Sequence, residues 1–170
     1  MPRADSTDSG TGTGTEQPQL QAALAAEHAA VYGYGVVGAY LARNRRETAR
    51  TCYDAHRAQR DLLRGLLLER RCEPVTAAPA YGLPFQVTDG TDAVRLAAHL
   101  ENGLAAVYAD LVAVADRRLR TVGAEGLRDS AVRASQWSGE STAFPGLPER
   151  ATGGADRSHR DTRHDQAGPR

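Results

Sequence analysis

Two glutamates stand where a helical chain should bury leucine. Positions 20, 24, 27, 31, 34, 38 and 41 step by fours and threes, the seam of a helix packed in a bundle, and Glu27 occupies its middle. Val94, Ala97, Glu101, Leu104, Tyr108, Leu111 and Ala115 repeat the alternation, with Glu101 inside it. Each glutamate has a tyrosine seven residues later on its own seam, Tyr34 and Tyr108. A carboxylate in an apolar seam needs a cation, a metal or a proton, because unpaired burial of the charge costs several kcal/mol. A third polar residue, His56, shares one face with Cys52, Leu63 and Leu66. Two acids and an imidazole could hold a single metal ion, or could close a hydrogen-bonded core.

Four helices are needed to position these residues. The first is expected from about Pro18 to Arg43. The second begins near Arg46 and Glu47 and stops before Pro74. So short a turn makes the two antiparallel neighbours. The third starts after Thr88-Asp89-Gly90-Thr91, with Thr91 as its cap, and runs to about Arg120. Gly123 then opens a shorter fourth helix, from about Ala124 to Trp137. Between the second and third, Pro74, Pro79 and Pro84 forbid a helix, while Tyr81, Leu83, Phe85 and Val87 alternate as in an extended segment packed on one side. At ~3.3 Å per residue this segment can return along the whole bundle, which sets helices two and three parallel. The fold class is therefore all-α, a four-helix bundle with a long crossover.

Depth along the bundle decides which groups can meet. With a turn near residue 45, positions summing to about 90 lie side by side, which places Glu27 level with Leu63 and His56 level with Tyr34. Arg60 is then the expected partner of Glu27, since its planar fork binds a carboxylate bidentately, with Tyr108 or Arg133 completing the hydrogen bonds. His56 serves Glu101 or Tyr34 as a satisfied core histidine. The expected buried polar network is thus Glu27, Arg60, Tyr34, His56, Glu101, Tyr108 and Arg133.

Composition narrows the rest. The chain has 170 residues and 41% apolar content, room for one domain at 17–148 between polar tails at 1–16 and 149–170. All 21 basic residues are arginine, the codon bias of a GC-rich genome, and 21 acids balance them, so no overall field favours nucleic acid or an anionic membrane. No apolar run approaches the ~20 residues of a membrane span, and a cytoplasmic location is expected. Cys52 and Cys72, twenty residues apart on one predicted helix, are too distant for a disulfide. His28 and His99 point off the seams and read as edge histidines. The interleaved Gly33, Gly35 and Gly38 read as close helix packing or a bend, not a nucleotide loop. Trp137 with Phe144–Pro148 reads as a plug sealing one end, and His159 and His164 fall in the tail.

Leu24-Ala25-Ala26-Glu27-His28-Ala29-Ala30-Val31-Tyr32, Asp54-Ala55-His56-Arg57, Pro79-Ala80-Tyr81-Gly82-Leu83-Pro84-Phe85 and Ala131-Val132-Arg133-Ala134 occur in order. Together with Trp137 and Phe144-Pro145-Gly146-Leu147-Pro148 they resemble the ferritin-like superfamily, and within it a family of unknown function from GC-rich bacteria. That resemblance implies a di-iron ancestry, in which two helices each give one Glu and two each give Glu-x-x-His. Glu27 and Glu101 match the single-Glu positions. Tyr53 stands where helix two should carry its bridging Glu, and helix four offers only Asp129 and Val132. Two functional readings follow: a binding or structural module with a degenerate metal site, forming a homodimer or serving an unidentified protein or small-molecule partner; or an iron- or manganese-dependent oxidoreductase or iron-handling protein whose ligands are Glu27, His56 and Glu101.

Overall fold

The computed structural model describes residues 13–140 together with Pro145 and Leu147. Four helices follow in order: α1 (Thr13–Tyr40), α2 (Arg43–Glu69), α3 (Gly90–Val112) and α4 (Arg117–Ser138). The first three residues of α1 and Glu16 fall in the segment expected to be a tail, and Pro18 sits in the second turn rather than at the helix start. Tail positions 1–12 and 149–170, His159 and His164 among them, lie outside the described residues.

Contacts between helices fix their directions. Tyr34 reaches Glu101 and Tyr108 reaches Glu27, so α1 and α3 are antiparallel. Arg70, just past α2, bonds Asp116, just before α4, at 2.8 Å, and Arg118 pairs with Glu69 at 2.6 Å. The ends of α2 and α3 therefore lie together, and the two helices run parallel, as the crossover requires. The crossover is tied to α1 by Gln21, which donates to Glu73 O (2.7 Å) and accepts from Val75 N (2.9 Å). Farther along, the Tyr32 and Tyr81 rings pack at 5.5 Å.

Local chemistry sets the helix ends. Asp89, not Thr91, caps α3 by accepting from the backbone of Thr91 and Asp92. Asp116 caps α4 through Leu119 N, so α3 stops at Val112 and α4 begins seven residues before Ala124. Gly123 is consequently inside α4. A Cβ there would lie 2.9 Å from Val112 N and 3.0 Å from Leu111 C, so glycine is what lets the two helices approach. At Gly33 on α1 a Cβ would meet only the end of the Leu100 side chain on α3, at 2.6 Å, which a rotation of that side chain can relieve.

The core forms two groups. Leu20, Leu24, Leu63, Leu66, Leu67, Leu104, Leu111 and Leu119 fill one end, and Val37, Leu41, Cys52, Leu96, Ala97 and Trp137 the other. Between them sit the buried charged residues. The closely packed helix pairs are α1–α2, α1–α3 and α3–α4. No helix among the described residues is long and apolar enough to cross a membrane.

Candidate functional site: a buried Glu-His-Glu row

All four helices send a polar side chain to the centre of the bundle. α1 brings Glu27 and Tyr34, α2 brings His56, α3 brings Glu101 and Tyr108, and α4 brings Trp137 and, at the margin, Arg133. Glu27, His56 and Glu101 are 1%, 1% and 0% exposed, so their charges must be answered within the protein.

The answer is a continuous row. His56 Nδ1 lies 2.9 Å from Glu27 Oε2, and Nε2 lies 3.1 Å from Glu101 Oε1 on the other side of the ring. Carboxylate oxygens only accept, so with both acids ionised the two contacts require both ring nitrogens to carry a proton. Tyr108 donates to Glu27 Oε1 at 2.5 Å, and Tyr34 donates to Glu101 Oε1 at 2.6 Å. Trp137 Nε1 in turn donates to the Tyr34 hydroxyl at 2.9 Å. The heptad spacing of each Glu and Tyr thus works crosswise: in antiparallel α1 and α3, each glutamate takes the tyrosine of the other helix.

Titration follows this geometry. Burial works to lower the pKa of His56, but its bonds to Glu101 and Glu27 and their negative charge prevail and raise it to about 9. Burial, followed by the charge of Glu101 for Tyr34 and of Glu27 for Tyr108, pushes both phenols far above their ordinary range and keeps them as donors. Burial likewise raises the Cys52 thiol; both Cys52 and Cys72 are free.

Arg60 does not belong to the row. Its guanidinium is bound to the neighbouring Asp61, at 2.9 and 2.8 Å, on the protein surface. The reason is the turn: α1 ends at Tyr40 and α2 begins at Arg43, three to four residues earlier than expected. Facing positions therefore sum to about 83 instead of 90, a shift of two helical turns that brings His56, not Arg60, level with Glu27. Arg133 approaches from α4, with one nitrogen 3.7 Å from Glu101 Oε2, an ion pair too long for a hydrogen bond. Glu101 Oε2 itself is buried without a hydrogen-bond partner among the described residues.

Trp137 was missed as a site residue because it read as an end plug; its indole instead extends the polar row, and Phe144, Gly146 and Pro148 lie outside the described residues. Of the other histidines, His28 Nε2 contacts Val75 O on the crossover at 3.2 Å, and His99 packs edge-on against Phe85. Neither reaches the centre.

The row is not sealed. A cleft of about 410 Å³ runs between α2 and α4, and Glu27, His56, Tyr108 and Arg133 line it together with Gln59 and Asp129. Gly126 makes room for the Tyr108 ring, which a Cβ would meet at 2.6 Å. The arrangement can hold one proton on His56 between two acids and present a guanidinium to whatever enters.

A family described as a domain of unknown function, DUF4439, matches residues 19–149. The crystal structure of a conserved hypothetical protein from Mycobacterium tuberculosis is similar at 34% identity with a TM-score of 0.71, over 73% of this chain and 95% of that one. No curated protein matches. With most of its length, and all of the Glu-His-Glu row, inside the matched segment, the chain belongs to the DUF4439 family.

Proposed function

We propose that this protein is a ferritin-like helical bundle in which a protonated histidine holds the two central acids in place of a metal centre, and that it acts as a binding or structural module of the cytoplasm. The observation that carries the reading is the double engagement of His56. A metal ion takes the lone pair of a neutral imidazole nitrogen at ~2.0–2.1 Å and gathers its other ligands around itself. Here Glu27 and Glu101 lie on opposite sides of the ring, each within hydrogen-bond range of a different nitrogen. An ion on either nitrogen would take the place of the proton that bonds the carboxylate on that side, and with the acids on opposite sides of the ring it could not gather both of them. Among the described residues, no group of three or more His, Cys, Asp and Glu side chains is arranged to hold an ion.

The positions that the resemblance makes equivalent to the remaining di-iron ligands point the same way. Tyr53 is half-buried with the Arg57 guanidinium over its ring, Val132 is 51% exposed, and Asp129 pairs with Arg128 at the surface. The donor set thus does not fit a di-iron centre, and no redox step is derived through one. Elemental analysis of purified protein tests the reading. Well under one equivalent of iron or manganese, with stability indifferent to chelator, is expected. Stoichiometric metal lost from both Glu27→Gln and Glu101→Gln would overturn it in favour of a metal-dependent oxidoreductase.

A further inference from the structure

The chain has six tyrosines. Tyr34 and Tyr108 serve the buried row; the other four, Tyr32, Tyr40, Tyr53 and Tyr81, all line one groove of about 720 Å³ where α1, α2 and the crossover meet. Tyr32 and Tyr40 are 37% and 45% exposed, so the fold does not spend them on its core. The walls are fixed by contacts of their own. Ala78 N donates to the Tyr81 hydroxyl at 3.0 Å, and the Tyr81 ring packs on that of Tyr32. Gly35 also faces the groove, beside Val36 and Ala39. A Cβ there would meet nothing within 4 Å, so close packing does not explain a residue that weakens the interior of a helix. What glycine does at this position is leave the groove deeper.

Charge selects the guest. α1 from Ala29 to Tyr40 and the crossover from Val75 to Thr88 carry no charged residue, and no Asp or Glu among the described residues lines the groove. Of the two basic residues that line it, His28 is engaged with Val75 O, which leaves Arg60 as the cation. Nε and Nη2 of Arg60 share one oxygen of Asp61, an acid 63% exposed, while Nη1 makes no hydrogen bond among the described residues. A guest carboxylate can take Nη1 without breaking that pair. Ring faces and apolar surface answer a flat apolar body, and one guanidinium answers one negative charge. By the observed register Arg60 and Gly35 stand about three turns apart along the bundle, part of which the Arg60 side chain spans, so the body must be several fused rings long. The volume lies within the ordinary range of small-molecule sites.

We propose that the groove between α1, α2 and the crossover binds a planar polycyclic aromatic monocarboxylate, with its rings among the tyrosines over Gly35 and its carboxylate on Arg60. This rests on the binding-module reading, and the two fail separately. Glu27, His56 and Glu101 do not line the groove, so metal found on those acids overturns that reading alone, and failure of ligand titration overturns this one.

The experiment is a fluorescence titration of the full chain at neutral pH with anthracene-2-carboxylate as probe, and protein-observed NMR to place it. Anthracene-2-carboxamide, flat but neutral, and decanoate, charged but flexible, serve as comparisons. The probe should bind saturably and shift backbone signals around Tyr32, Gly35, Tyr53 and Tyr81. Both comparisons should bind at least threefold more weakly. Arg60→Met should weaken the probe at least threefold and leave the carboxamide unchanged, a split that general loss of structure would not produce. Gly35→Leu fills the groove with a better helix former, so it should weaken the probe at least tenfold while Tm stays level or rises. Absence of saturable binding would overturn the proposal. So would carboxamide or decanoate binding as tightly as the probe, shifts confined to another face, or affinity indifferent to Gly35→Leu or to Arg60→Met.

Discussion

Replacing His56 by glutamine removes the positive charge from between two buried acids and tests whether that charge supports the fold. The wild-type contribution can be worked from the shift. A pKa raised from 6.5 to about 9 corresponds to stabilisation on the order of 3 kcal/mol, at about 1.4 kcal/mol per unit. Because the folded-state value is the raised one, this stability is fully present below about pH 6.5 and is lost as pH climbs through about 9. His56→Gln removes the histidine cation at every pH, leaving Glu101 only the longer Arg133 pair, and at pH 6 it should cost ~3–5 kcal/mol, the range for breaking a buried pair. Urea unfolding at half-unit steps from pH 6 to 9.5 is the assay. Wild type should decline across the window by roughly 3 kcal/mol, a fall of about 10 °C in Tm. The variant should start low and vary much less. Parallel curves for the two proteins would refute the assignment of the charge to His56.

Other variants probe the supports of the row. Tyr108→Phe deletes the 2.5 Å bond to Glu27 and leaves a buried carboxylate oxygen short of a donor, for a loss of about 1–3 kcal/mol by urea unfolding; a neutral effect would mean water replaces the phenol without cost. Gly126→Ala drives a methyl into the Tyr108 ring and should cost about 1–3 kcal/mol, with little further loss when combined with Tyr108→Ala, which vacates the space. Asp89→Ala removes the α3 cap and should cost about 1 kcal/mol, whereas Thr91→Ala should cost less; the reverse order would move the cap back to Thr91. Both cysteines should react with a maleimide after denaturation without reductant, and a mass showing an intramolecular disulfide would contradict the fold.

Much of this centre was legible in the sequence, and the reasons are specific. An acid on an apolar seam is visible because burial of charge is rare, and the seven-residue step from Glu27 to Tyr34 and from Glu101 to Tyr108 keeps donor and acceptor on one face. The parallel course of α2 and α3 was legible because three prolines and an alternating apolar run leave the crossover little choice. Partner identity was not, since it depends on where a turn falls. Ala42, with no side-chain cap bond, begins α2 without an N-cap signal, and the resulting three-residue error exchanged Arg60 for His56. Asp116 was a readable cap for α4, hidden by a helical pattern that continues through it. Trp137 could be recognised as buried, but that its indole serves Tyr34 depends on the α4 register, which Gly123 and Gly126 set through close approach.

The central claim is that His56 is a cation shared by two carboxylates. The 15N chemical shifts of its ring, followed from pH 6 to 10 in uniformly labelled protein, report that state directly. Both nitrogens should appear protonated at pH 7, with a titration centred near 9 that is absent from His56→Gln. A neutral ring at pH 7, with one bare or metal-bound nitrogen, would contradict the account.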